Sequence, residues 1–261
     1  MSRVRHVLGI SGGKDSAALA IYLQEQGRVP EMEYYFADTG CELEETYSFI
    51  NELETHLGKE INRIGSDAPF EHHLFMMGNM LPSPRQRWCT VKMKLEPFEE
   101  FIGSDEAVSY IAIRADEHRE GYISSKANIK PTFPFVKDGI NRKDVFDILN
   151  RTVGVPEYYK WRSRSGCYFC FFQRREEWIG LSKNHTELFE KAMAFEKYDQ
   201  KTGKRYTWIE GMTLKELIGK KDSILDLAEK RRLLKDNRTW IEKMIDEGDD
   251  PEDQGCLICS L

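Results

Sequence analysis

The sequence has no run of about 18 apolar residues, so a membrane-spanning helix is not expected. It has no internal repeat and no low-complexity segment. It lacks a surplus of positive charge: 38 Lys plus Arg stand against 44 Asp plus Glu, for a net charge of −6. That balance argues against a generally basic nucleic-acid coat, though not against a local basic patch. Cysteine is sparse, with 6 in 261 residues. That reads as metal or redox chemistry in a reducing compartment rather than a secreted disulfide scaffold. Met1-Ser2-Arg3-Val4-Arg5-His6 runs straight into an apolar strand without a signal-peptide core, so a cytoplasmic location is expected. What is present is 40% hydrophobic and 31% charged residues, enough for a packed core and too apolar for a disordered chain.

Val4 to Ile10 reads as a buried strand, Asp15 to Gln26 as a helix stopped by Gly27, and Met32 to Ala37 as a second strand. A helix over Leu43 to Leu57, ended by Gly58, and a strand over Glu60 to Ile64 follow. Residues 78–88 read as a loop, Val91 to Ile102 as a helix despite Pro97, and Val108 to Arg114 as a strand. Thr132 to Phe135 reads as a short strand and Arg142 to Arg151 as a helix. The alternation predicts an α/β fold with a doubly wound parallel sheet over residues 1–157. From Tyr158 strands stop and helices dominate, predicting a helical, cysteine-containing subdomain over 158–245 and a mobile acidic tail over 246–261.

Ser11-Gly12-Gly13-Lys14-Asp15-Ser16 lies between the first strand and the first helix. A helix N-terminus offers unpaired amides and partial positive charge, which suit a phosphate. Gly12 and Gly13 admit close backbone approach, Ser11 and Ser16 add hydroxyls, and Lys14 adds charge. Asp15 suits a helix cap, or a Mg²⁺ shared with phosphate. The spacing is not that of the longer GxxxxGK[ST] loop.

This segment resembles the SGGxDS loop of the PP-loop ATP pyrophosphatases, which have the adenine nucleotide alpha hydrolase-like fold. Within that superfamily the chain resembles the PAPS reductase-like family. The matching segments are Asp38-Thr39-Gly40 with Glu45-Thr46, Arg87-Trp88-Cys89-Thr90 with Lys92 and Lys94, and Ile113-Arg114-Ala115-Asp116-Glu117 with Arg119. Pro134, Asp144-Val145 and Gly166-Cys167-Tyr168-Phe169-Cys170 complete them, in order, over roughly residues 5–180. The resemblance implies that Ser11, Gly12, Gly13, Lys14, Asp15 and Ser16 hold the phosphates of ATP. It places Asp38 and Thr39 near the sugar or base, and Arg114 on phosphate. Lys14, Asp15 and Arg114 would then be catalytic.

Cys167-x-x-Cys170 by itself fits zinc, an iron–sulfur cluster or a redox dithiol. The resemblance favours a 4Fe-4S cluster held by Cys89, Cys167 and Cys170, with zinc the alternative. Family members carry a Cys-Cys pair where this chain has Trp88-Cys89, so one ligand would come from Cys41, Cys256, Cys259 or a non-protein group. Cys256 and Cys259, in the tail, are candidates for relaying sulfur. Residues 85–94 hold four cations and residues 160–175 five, with no acid in either, so the other 235 residues carry −15. With Trp88, Tyr159, Trp161, Phe169, Phe171 and Phe172 these segments are candidates to grip and stack nucleic acid.

The Trp-Cys-Thr segment resembles that of the ATP pyrophosphatase component of DNA phosphorothioation systems. That likeness implies adenylation of a substrate oxygen and sulfur transfer to nucleic acid, with a cysteine desulfurase as donor partner. An APS/PAPS reductase and a non-catalytic nucleotide-binding subunit are the alternatives, and self-association into a homo-oligomer stays open.

Overall fold

The computed structural model describes residues 4–117, 124, 126–198 and 203–236, the last five of these by backbone only. Five parallel strands form one sheet in the order β3-β2-β1-β4-β5. They are β1 (Arg5–Gly9), β2 (Glu33–Asp38), β3 (Ile61–Gly65), β4 (Ala107–Tyr110) and β5 (Ile129–Thr132). The helices around them are α1 (Lys14–Glu25), α2 (Glu44–Leu57), α3 (Phe70–Met76), α4 (Trp88–Thr90), α5 (Glu96–Ile102), α6 (Pro134–Asp138) and α7 (Arg142–Asn150). A π turn over Val91–Leu95 joins α4 to α5.

Strand alternation distributes the core to both faces of the sheet. Leu8, Tyr34 and Phe36 pack with the apolar stripes of α1, α2 and α7. Val7, Tyr35 and Ala107 pack with Phe98 and Ile102 of α5, Tyr35 stacking on Phe98 at 4.9 Å. Helices on both faces of a parallel sheet are the doubly wound arrangement expected. A further core is built around Phe70, Phe169, Trp178 and Trp208. It gathers α8 (Arg175–Asn184), α9 (Thr186–Phe195), α10 (Leu214–Gly219) and α11 (Lys221–Asp236).

Three expectations need correcting. The strand read over Val108 to Arg114 pairs only to Tyr110, because its neighbour β5 ends at Thr132 and leaves no ladder beyond. The strand read over Thr132 to Phe135 instead ends at Thr132, and Pro134 opens α6, where its fixed φ and missing N–H suit a first helical position. Beyond Tyr158, β6 (Lys197–Tyr198) and β7 (Arg205–Tyr206) form a short antiparallel ribbon among the helices. No helix among the described residues is long and apolar enough to cross a membrane.

Candidate active site

The strand order reverses between β1 and β4, and the loops leaving these two strands face one crevice. The first is Ser11–Ser16, leading into α1. Gly12 has φ +73°, and a Cβ there would stand 2.4 Å from Thr46 Cγ2; a Cβ on Gly13 would stand 2.8 Å from Ser165 Oγ. The backbone path is therefore open only to glycine at Gly12. Ser16 Oγ accepts from the Ser11 amide at 3.1 Å and lies 3.2 Å from Ser11 Oγ, and the Gly13 amide donates to Ser11 Oγ at 3.3 Å. The loop is thus shaped by its own two serines.

The loop after β4 supplies Arg114, only 4% exposed. Its guanidinium reaches Asp15 at 3.1 Å, Asp116 at 3.0 Å and Glu117 at 2.8 Å. Burial alone would lower its pKa, but Asp15, Glu117 and Asp116 together raise it. Asp15 is the converse: burial pushes its pKa up, and the charges of Lys14 and Arg114 together hold it below the ordinary carboxylate value. Lys14 Nζ lies 3.1 Å from Asp15. The structure therefore brings Lys14, Asp15 and Arg114 into one buried chain of charges, joining the first and fourth strand loops.

Asp38 and Thr39 leave β2 beside this chain. Asp38 accepts from the Gly40 amide and from Tyr47 Oη, each at 2.8 Å. They border a cavity of about 840 Å³ beyond the carboxyl ends of β2 and β3. Its walls carry Arg63, Asp67, Glu71 and Lys191, and Phe70, Tyr168 and Phe195 give it apolar surface.

The Cys167 loop is tied to the β2–α2 loop. Thr39 Oγ1 donates to Glu42 at 3.0 Å and lies 3.2 Å from Cys167 Sγ, which is 3.6 Å from the same Glu42 carboxylate. The Tyr168 amide donates to the Cys41 carbonyl at 2.8 Å. Burial, then the Glu42 charge, pushes the Cys167 thiol well above its usual range, and burial pushes Cys41 up to about 12. Cys41, Cys89, Cys167 and Cys170 form no disulfide with one another. Among the described residues no three His, Cys, Asp or Glu side chains are placed to hold a metal ion. Glu42 and Thr39 stand against Cys167. Cys256, Cys259, Arg119 and His118 lie outside the described residues.

The basic segments divide. Arg162, expected at a surface, is 3% exposed and donates to the carbonyls of Gly166 and Cys167 at 2.9 and 2.8 Å. Lys92 pairs with Glu96 and Lys160 with Glu157. Trp88 and Phe169, expected to stack bases, are buried, and Trp161 lies against Gly180 of α8. Arg87 and Arg164, one from each segment, meet on the half-buried ring of Phe172 at 5.0 and 5.5 Å. His185 is tucked 2.9 Å from Glu45 and beside Trp161.

Tyr158, Ser165 and Glu42 carried no signal in the sequence. The first two reach the phosphate loop across more than a hundred residues of chain: Tyr158 Oη donates to the Gly12 carbonyl at 2.5 Å, and Ser165 Oγ lies 3.4 Å from Ser11 Oγ. Only the contiguous loop was visible to local pattern.

Residues 5–137 match the phosphoadenosine phosphosulfate reductase domain. An uncharacterized protein of Methanocaldococcus jannaschii is 28% identical over 71% of this chain and 40% of its own length. A second from the same organism is 24% identical over 69% of this chain and 45% of its own. This chain thus spans less than half the length of either archaeal relative. An uncharacterized nin region protein of Escherichia phage lambda is 29% identical, over 68% of this chain and 69% of its own. Two solved structures are similar. One is a phosphoadenylyl-sulfate reductase from Candida auris in phosphate complex (TM-score 0.49, 12% identity, 64% of this chain and 83% of that one). The other is the U34-tRNA thiolase NcsA from Methanococcus maripaludis with its 4Fe-4S cluster (TM-score 0.40, 15% identity, 73% of this chain and 70% of that one).

Proposed function

The chain belongs to the phosphoadenosine phosphosulfate reductase domain family, and from that premise we propose that it is an ATP pyrophosphatase that adenylates a substrate oxygen for sulfur transfer. The observation that carries this reading is the Ser11–Ser16 loop at the N-terminus of α1, joined through Asp15 to Arg114 at the strand-order reversal. The loop amides and the Ser11 and Ser16 hydroxyls cradle the β- and γ-phosphates. Lys14 and Arg114 offset their charge, and the nucleoside extends over Asp38 and Thr39 toward the cavity. A substrate oxygen attacks the α-phosphorus, the bond to the bridging oxygen breaks, and pyrophosphate leaves on the loop that already holds it. Catalysis is positioning and charge neutralisation. Mg²⁺ would supply further neutralisation, and Asp15, held ionised, would be the carboxylate to hold it. The adenylated oxygen then leaves as AMP when a sulfur nucleophile bonds to the acceptor atom.

The sulfur donor in this reading is a cysteine desulfurase, with Cys256 and Cys259 as the relay, and the acceptor is nucleic acid held at Arg87, Phe172 and Arg164. Cys89, Cys167 and Cys170 would be the cysteines to hold a 4Fe-4S cluster or zinc, whose metal would bind sulfur. Asp15→Asn keeps the shape of the side chain and removes its charge. Pyrophosphate release from ATP should fall about 100-fold or more, measured by a coupled phosphate assay; unchanged turnover would remove the loop from the mechanism. The family description supports a second reading, a sulfonucleotide reductase. It predicts sulfite from APS or PAPS in the presence of a dithiol, and no pyrophosphate from ATP.

A further inference from the structure

Two adjacent tyrosines cover the phosphate loop. Tyr158 is buried, and its hydroxyl donates to the carbonyl of Gly12 at 2.5 Å. Burial pushes its phenol well above its usual range, so it stays neutral and keeps its proton to donate. Tyr159 lies beside it, the two rings tilted by 31° with centres 4.8 Å apart. Its hydroxyl accepts the amide of Lys14 at 3.2 Å, and its ring lies 5.5 Å from Lys14 Nζ.

Lys14 is the first residue of α1, so its amide has no carbonyl partner within the helix. It is one of the donors that an anion at this helix end would take. The Tyr159 hydroxyl oxygen therefore sits where a phosphate oxygen would sit. Lys14 itself is 2% exposed, and Gly12 and Gly13 are buried. A phosphate cannot reach this amide while the phenol is on it.

The same short stretch holds the cysteine loop. The Trp161 amide donates to the Tyr158 carbonyl at 3.1 Å, as does that of Arg162 at 2.9 Å. The Arg162 guanidinium then holds the carbonyls of Gly166 and Cys167. Ser165, between them, touches Ser11. Residues 158–168 are thus one strap, anchored on the phosphate loop through Tyr158, Tyr159 and Ser165 and on the β2–α2 loop through Tyr168.

We propose that Tyr159 is a stand-in for phosphate that holds the loop closed, and that nucleotide entry displaces it and releases the strap carrying Cys167. This rests on the phosphate-binding reading of Ser11–Ser16. In consequence the cysteine loop would be rearranged only when the loop is filled, which couples sulfur chemistry to nucleotide occupancy.

The test uses inorganic pyrophosphate and ATP as probes on the full chain. Tyr159→Phe keeps the ring and removes only the competing oxygen. A neutral hydrogen bond has a net worth of about 1 kcal/mol, so the variant should bind pyrophosphate about fivefold tighter by titration calorimetry. Thermal melting confirms that it folds. In the wild type, pyrophosphate should speed hydrogen exchange of the amides over 158–168 several-fold. The same amides should exchange up to about fivefold faster in the variant without ligand. Equal or weaker pyrophosphate binding by Tyr159→Phe overturns the proposal, because the hydroxyl is then no competitor. Unchanged exchange over 158–168 on binding overturns the strap. If neither protein binds pyrophosphate or ATP, the phosphate-loop reading falls as well, which separates the two failures.

Discussion

At single residues the energetics centre on Arg114. Its guanidinium is buried and faces three carboxylates, with Asp15 and Glu117 themselves largely buried. Removing one member of such a group leaves uncompensated charge in a low-dielectric site, at a cost of about 3–5 kcal/mol. Arg114→Met should lower the unfolding free energy by that much in a urea titration at neutral pH. The pH dependence follows from Asp15. Its folded pKa lies below its unfolded value of about 3.9, so its contribution is complete above that pH and is lost as pH falls through the lowered folded value. In Arg114→Met burial raises the Asp15 pKa, so the stability gap to wild type should shrink as pH falls and the variant's Asp15 takes up its proton, and close once pH drops below the lowered wild-type value. A gap that stays constant into strong acid would show that Asp15 is not part of the clamp. The pairing joins residues 99 apart, and nothing in the local sequence announces it. What was legible was the type of each residue: a loop able to hold phosphate, and an arginine in the right motif.

Among elements, the β1–α1–β2–α2–β3 run was readable because each piece carries its own period and its own stop, such as Gly27 and Gly58 at positive φ. The seven residues of α3 were not read as an element. It buries only Phe70 and Leu74, too few to define a stripe. The two-residue strands β6 and β7 are likewise below any periodic signal. The contact between the phosphate loop and α2 yields a graded test. Gly12 and Gly58 both have left-handed φ, but a Cβ meets Thr46 at Gly12 and nothing at Gly58. Gly58→Ala should cost about 1–2 kcal/mol, from φ alone. Gly12→Ala should cost more, by the displacement of Thr46. Thr46→Ser removes the colliding methyl, so in the Gly12→Ala background it should recover that excess and no more. Chemical denaturation of the four proteins in a double-mutant cycle measures this. Equal costs at the two glycines would mean that the loop and α2 yield freely.

For the whole molecule the relevant quantity is where charge stays available. The net charge of −6 and the two acid-free segments pointed to a basic patch in an acidic chain. Folding divides those cations between structure and surface. Arg162 is buried under the Cys167 loop, Lys92 and Lys160 pair with carboxylates, and Arg87 and Arg164 converge on Phe172 while Arg85 and Arg175 are exposed. Two guanidinium groups, drawn from segments more than 70 residues apart in the chain, meet on one aromatic ring. That geometry suits a single strand, with phosphates on the arginines and a base on the ring. Each phosphate contact adds about one unit to the slope of log affinity against log salt. Arg87→Ala with Arg164→Ala should therefore weaken binding of a single-stranded oligonucleotide and lower that slope by about two, read by fluorescence anisotropy over a salt series. Phe172→Ala should weaken binding while leaving the slope unchanged, since stacking releases no counterions. A slope unchanged by loss of both arginines would place any nucleic acid elsewhere on the surface.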